Sequence, residues 1–139
     1  MKRLVQYEVS DRLPIRNWTP SHLQIRQYAE ASGDFNPIHL DDNYARHAGL
    51  GGVIAHGMLT MAQMAAMLTE WIGKEGELSE FTVRFEHMVR PGDTIKCSGS
   101  IREHFGNTLV CDLEASNHRD ERVLSGLAQI KIQSQTSTG

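Results

Sequence analysis

Tyr28-Ala29-Glu30-Ala31-Ser32-Gly33-Asp34-Phe35-Asn36-Pro37-Ile38-His39, then Gly49-Leu50-Gly51-Gly52, then His56-Gly57-Met58-Leu59 at the head of an apolar run to Ile72, form the stretch on which the chain is organised. Asp34, Asn36 and His39 fall within six residues, where Gly33 and Pro37 forbid a regular helix or a central strand. Gly33 suits the left-handed cap of a preceding helix, and Pro37 pushes Asn36 towards an extended backbone. The polar side chains are therefore expected on a fixed loop, as an acid/base pair requires.

Upstream, Thr19 before Pro20 reads as an N-cap followed by proline at the first helical position. Ile25, Tyr28, Ala29 and Ser32 then recur at helical spacing until Gly33. Residues 4–9 read as a short strand. Downstream, Asp41 or Asp42 can cap a short helix through Tyr44, Ala45 and Ala48 that Gly49 stops. From His56 or Gly57 to Ile72 apolar residues occupy nearly every helical face, which predicts a helix buried on all sides.

The second half alternates at period two. Phe81, Val83, Phe85, His87 and Val89 make one run, and Pro91-Gly92-Asp93 reads as the turn after it. Ile95, Cys97, Gly99 and Ile101 follow, then Leu109, Cys111, Leu113 and Ala115 beyond Gly106-Asn107. Leu124, Gly126, Ala128, Ile130 and Ile132 form the last run, and residues 134–139 read as a frayed tail. Helices followed by four strands joined by short turns predict an antiparallel α+β domain, its sheet curled around the apolar helix. So small a sheet leaves edges that dimerisation can hide.

A length of 139 residues predicts a single domain over 1–139. A formal charge of −3 and an ordinary charged fraction carry no bias towards polyanions, which argues against nucleic acid as a partner. The two cysteines, Cys97 and Cys111, lie in strand-like runs and read as small buried hydrophobes, without zinc or disulfide spacing. Unpaired thiols and an N-terminus without an apolar signal core predict a cytoplasmic protein. The run from Met58 to Ile72 is too short, and with Thr60, Gln63, Thr69 and Glu70 too polar, for a membrane span.

The Ser32-Gly33-Asp34-Phe35-Asn36-Pro37-Ile38-His39 motif with Ala55-His56-Gly57-Met58-Leu59 resembles the MaoC-like family of R-specific enoyl-CoA hydratases and 3R-hydroxyacyl-thioester dehydratases. Val83-Arg84-Phe85 and Pro91-Gly92-Asp93-Thr94 are similar to a strand and turn of that family. The resemblance implies the hotdog fold, a curved antiparallel sheet around one long helix. It implies further that Asp34 and His39 hold the water that adds to, or leaves from, the β-carbon of an acyl thioester, with Asn36 completing the polar group.

Such chemistry needs a base for the water, an acid for the α-carbon and a donor for the enolate-like oxygen. Gly57, bare at the start of the long helix, lets the thioester oxygen approach backbone N–H groups at a positive helix end. Steps of three and four from Gly57 put Met61, Met64 or Ala65, and Leu68 on the side expected to face the acyl chain, with Ala65 the small residue among them. No metal and no cofactor beyond the carrier thiol is implied, and the carrier can be coenzyme A or an acyl carrier protein.

Plainer roles compete. Asp34 and Asn36 can merely close turns, His39 can be a hydrogen-bonded structural histidine, and His56 can pack at the helix entrance. His47 and His56 with Asp34 and His39 lack metal-ligand spacing. Arg84, Arg90 and Lys96 can meet phosphates or simply be solvated. The segment 54–61 also resembles the catalytic subunit of two-part bacterial dehydratases, so a heteromeric partner stands beside a homodimer or larger even oligomer. A non-catalytic acyl-binding hotdog subunit and a hotdog thioesterase are the competing functional readings.

Overall fold

The computed structural model describes residues 2–133; the tail at 134–139 lies outside them. Helix α1 spans His22–Ser32, and its cap is Ser21, whose hydroxyl accepts the Gln24 N–H at 3.0 Å. The expected start at Thr19 is therefore two residues early. Pro20 lies buried ahead of the helix, where its carbonyl accepts the Gly92 N–H at 2.8 Å. At the other end Gly33 takes φ 79°, the left-handed cap expected of it. Helix α2, Asp42–His47, is capped by Asp41, whose carboxylate accepts the Tyr44 N–H at 3.1 Å.

Helix α3 runs over Gly57–Ile72. Leu59, Thr60, Met64, Met67, Leu68 and Ile72 are buried, whereas Met58, Ala62, Thr69 and Glu70 are exposed. The expectation of burial on every side is thus corrected within one protomer. The sheet curls around one side of the helix and leaves the apolar strip that includes Met58 and Ala62 facing outward.

Five strands form one sheet in the order β1-β3-β4-β5-β2, with β1 Arg16–Trp18, β2 Gly76–Phe85, β3 Ile95–Phe105, β4 Thr108–Ser116 and β5 Arg122–Ile132. All four pairings are antiparallel. On β3, β4 and β5 the inward residues are those that the alternation marks: Ile95, Cys97 and Ile101, then Leu109, Cys111, Leu113 and Ala115, then Leu124, Ala128 and Ile130, all buried. Both cysteines are free and buried, and burial pushes their thiols up to about 11 for Cys97 and about 12 for Cys111.

Three features depart from the sequence pattern. Residues 4–9 form no strand; Leu4–Gln6 is a 3₁₀ turn, and the short edge strand is β1, whose Arg-Asn-Trp has no periodicity to betray it. Strand β2 ends at Phe85, because the Glu86 and His87 N–H groups both turn onto the Val123 carbonyl, at 2.9 and 3.3 Å, and Val89 accepts from Ala55 instead. Moreover β2 pairs with β5, so the turn at Pro91-Gly92-Asp93 makes no hairpin and belongs to a crossover from one side of the sheet to the other. Among the described residues, hairpins remain only for β3 to β4 and β4 to β5.

Candidate active site

The loop after α1 is built by three successive side chains. Ser32 Oγ accepts the Asp34 N–H, Asp34 Oδ1 accepts the Asn36 N–H, and Asn36 Oδ1 accepts the Ile38 N–H, each at 3.2 Å. The last bond caps the 3₁₀ turn Pro37–His39. Asp34 and Asn36 therefore do close turns. Each does so with one oxygen, and among the described residues Asp34 Oδ2 and Asn36 Nδ2 have no protein partner.

His39 lies at the end of this turn and is 9% exposed. Its Nδ1 stands 2.7 Å from the Ile54 carbonyl oxygen. A carbonyl only accepts, so Nδ1 carries the proton and Nε2 is the nitrogen left for another partner. Ile54 in turn donates its N–H to the Ile38 carbonyl at 3.1 Å. The loop and the segment leading into α3 are thus laced together at the histidine.

His56, the residue before α3, enters the same group. It is 2% exposed, its ring stacks on that of His39 with centroids 3.7 Å apart and planes 25° apart, and its Nε2 donates to the Asp34 backbone carbonyl at 3.0 Å. Tyr28 of α1 packs on it at 4.8 Å between centroids. One carboxylate oxygen of Asp34 and one ring nitrogen each of His39 and His56 lie within 4.8 Å of one another. Three such ligands at this range invite comparison with a metal centre, but the in-plane lone pairs of stacked imidazoles run side by side and do not converge, which suits proton transfer better. Packing at the helix entrance, as expected, is only part of what His56 does; its stack on a residue 17 positions away left no mark on sequence spacing.

Gly57 opens α3, and its N–H and that of Met58 precede the first intrahelical bond, from Leu59 to the His56 carbonyl at 3.0 Å. A Cβ on Gly57 would stand 3.1 Å from Cε1 of Phe85. A side chain at residue 57 would therefore crowd the aromatic ring laid across the helix start, which would have to shift by a few tenths of an ångström, as well as anything that approaches the N–H groups. Beside it lies a cavity of about 310 Å³ lined by Gly57, Thr60, Phe85, Met88, Val89 and Val123, among others. Met61, Ala65 and Leu68 do not line it: Met61 and Ala65 are partly buried, and Leu68 is wholly inside the core.

The remaining candidates separate from this group. Arg90 donates through Nη1 to the Gly52 carbonyl at 3.3 Å and through Nη2 to that of Leu50, so it clips the glycine loop. Arg84 and Lys96 are exposed, and His47 caps its own helix through the Asn43 carbonyl at 2.7 Å.

Residues 6–122 match the family described as MaoC like domain. Over 117 residues the chain is 32% identical to fatty acid synthase subunit beta of Saccharomyces cerevisiae, a match that covers 83% of this chain and 6% of that subunit. Over 110 residues it is 33% identical to 3-hydroxybutyryl-CoA dehydratase of Methylorubrum extorquens, covering 76% of this chain and 68% of that protein. Its structure is similar to that of the unliganded R-hydratase PhaJ1 from Pseudomonas aeruginosa, with a TM-score of 0.86 at 27% identity over 94% of this chain and 84% of the other. A match of this extent, on a sheet curled about one long helix as the hotdog fold requires, makes the chain a member of the MaoC-like dehydratase domain family.

Proposed function

We propose that the protein catalyses the reversible addition of water to a trans-2-enoyl thioester, giving the 3R-hydroxyacyl thioester, as a step of fatty acid metabolism. The observation that carries this reading is the meeting of the Asp34 carboxylate with a ring nitrogen each of His39 and His56 within 4.8 Å, His56 being followed directly by Gly57, whose N–H opens α3 without a partner among the described residues. Relatives named 3-hydroxybutyryl-CoA dehydratase and R-hydratase support it.

In this mechanism one water is gripped between Asp34 Oδ2 and His39 Nε2, with Asn36 Nδ2 as a further donor nearby. The water oxygen bonds to the β-carbon as the pair removes its proton. The double bond's electrons move onto the thioester oxygen, which the Gly57 N–H stabilises, and the pair returns a proton to the α-carbon as the enolate collapses. Delivery of both groups by one pair makes the addition syn, and the face of the β-carbon turned towards the water sets the 3R configuration. Met61, Ala65 and Leu68 are assigned to the acyl chain, and the carrier is coenzyme A or an acyl carrier protein. No cofactor enters the scheme.

We further propose that the working unit is a homodimer or an even multiple. Strand β2 stands at the end of the sheet with one side unpaired, and Met58, Phe85 and Met88 near the site are 56%, 51% and 46% exposed. Light scattering at micromolar concentration tests this, and a different MaoC-like chain in the unpaired position would make the assembly a heteromer. Among the described residues no helix is long and apolar enough to cross a membrane. A cytoplasmic location is proposed from the thiol usage.

The deciding experiment mixes the pure protein with crotonyl-CoA. Loss of enoyl absorbance without release of thiol supports the hydratase reading. Release of thiol would make the protein a thioesterase, and neither change would make it a non-catalytic acyl-binding subunit.

A further inference from the structure

We infer that His56 is a positioning residue that holds the Asp34 end of the catalytic loop and the face of His39 at once. The inference rests on the hydratase reading above and adds to it a residue outside the Asp34, Asn36 and His39 set. Three observations bear on it.

The first is how the loop is tied down. Its internal bonds, from Ser32 to Asp34, Asp34 to Asn36 and Asn36 to Ile38, fix its shape but not its place against α3. The His39 end is anchored through Ile54, by the ring's Nδ1 and by the Ile54 N–H to the Ile38 carbonyl. Among the described residues, the one hydrogen bond that reaches residues 34–36 from outside the stretch 32–39 is the one from His56 Nε2 to the Asp34 carbonyl, at 3.0 Å. Asp34 follows a glycine at φ 79° and is itself exposed, and its carboxylate bonds only within its own loop, so this bond is what holds that end of the loop against the start of α3.

The second is the stack. Rings 3.7 Å apart and 25° from parallel fix the plane of His39, and the Ile54 bond fixes its rotation about that plane's normal. Together they aim Nε2. The third is an unmet polar atom: Nδ1 of His56 is buried with no hydrogen-bond partner among the described residues. A position needed only for packing would take an apolar ring and avoid burying that nitrogen. Nε2, the nitrogen that does bond, is the reason for an imidazole here.

The test measures kcat and KM for crotonyl-CoA in His56→Phe, His56→Gln and His56→Asn, each alone and combined with Asp34→Asn, with folding checked by circular dichroism. Misplacement of a catalytic group by about 1 Å can slow a reaction about 10²-fold. His56→Phe, which keeps a ring and loses the donor, should therefore lower kcat about 10²-fold with KM little changed. Gln places an amide N–H where imidazole Nε2 stood and should recover part of the rate, whereas Asn, one bond shorter, should not. With Asp34→Asn already present, His56→Phe, which keeps the ring against His39 and loses only the donor, should add almost nothing, because that donor acts through Asp34.

Wild-type kcat in His56→Phe would overturn the inference, as would the same loss with and without Asp34. Should the Phe variant fail to fold, equal rates for Gln and Asn would overturn it by themselves. Full activity in Asp34→Asn would overturn the role of Asp34 and this inference with it, whereas absence of hydration by the parent protein would overturn the hydratase reading itself, so the two failures are distinguishable.

Discussion

His39 and Ile54 are joined through a ring nitrogen and a carbonyl oxygen 2.7 Å apart, which leaves Nε2 as the histidine's working atom. His39→Gln and Asp34→Asn should each keep the fold and lower hydration of crotonyl-CoA by about 10²-fold or more, the usual scale for a positioned acid/base group. Because the proposed mechanism has both grip one water, the double variant should be scarcely slower than the worse single one. Steady-state rates decide this, and more than half the activity in either single variant would remove the assignment.

Gly57→Ala should destabilise the protein by about 1–3 kcal/mol, as overpacking does, because the new methyl would stand 3.1 Å from the Phe85 ring. Phe85→Leu in the same chain should restore much of the lost stability, measured by denaturant unfolding. Activity should stay low in the double variant if the thioester oxygen must also approach the Gly57 N–H. Recovery of both would reduce the glycine to a packing requirement.

The proposed assignment of Ala65 and Leu68 to the acyl chain is tested by chain length. Ala65→Phe should exclude long acyl chains and leave a four-carbon substrate nearly untouched, while Leu68→Ala should extend the accepted length. One methylene in an apolar pocket is worth about 1–3 kcal/mol, so the preference between four and ten carbons should move at least about tenfold in kcat/KM. An equal loss at every length would direct attention to the cavity beside Gly57, where Thr60 and Val123 are the residues to enlarge.

The Glu75 carboxylate, which accepts the Leu4 N–H at 2.8 Å and pairs with Arg3, is held below its ordinary 4.5, chiefly by the Leu4 bond. A lowered folded value means that its charge stabilises the fold fully above pH 4.5, and that this contribution fades as pH falls through the folded value. Glu75→Gln should therefore be less stable than the parent by a constant margin above that pH, and the two unfolding curves should converge in acid. A margin that widened in acid would reverse the sign and dismiss the pairing.

Local patterns were sufficient for the elements that bury one face or stop at a glycine. The alternation of Ile95, Cys97, Ile101 and of Leu109, Cys111, Leu113 marked inward faces because strand side chains alternate whatever their partners, and Gly33 ended α1 because only glycine enters the left-handed region freely. The motif from Ser32 to His39 likewise made its own loop from bonds two residues apart. Asp34, Asn36 and His39 could accordingly be named as candidates from the chain alone.

What spacing along the chain does not encode is which distant surfaces meet. The pairing of β2 with β5 sends the chain across the sheet after residue 85, a choice made by the joint burial of all five strands and not by the turn at Pro91-Gly92-Asp93. The outward strip on α3 appears only once the sheet's reach around the helix is known. In the same way His56 became part of the site, and Arg90 the clip of the glycine loop, through contacts of 3.0 Å and 3.3 Å that join residues 22 and 38 positions apart. Hydrogen bonds of that kind follow from packing, and packing is decided by the whole core at once.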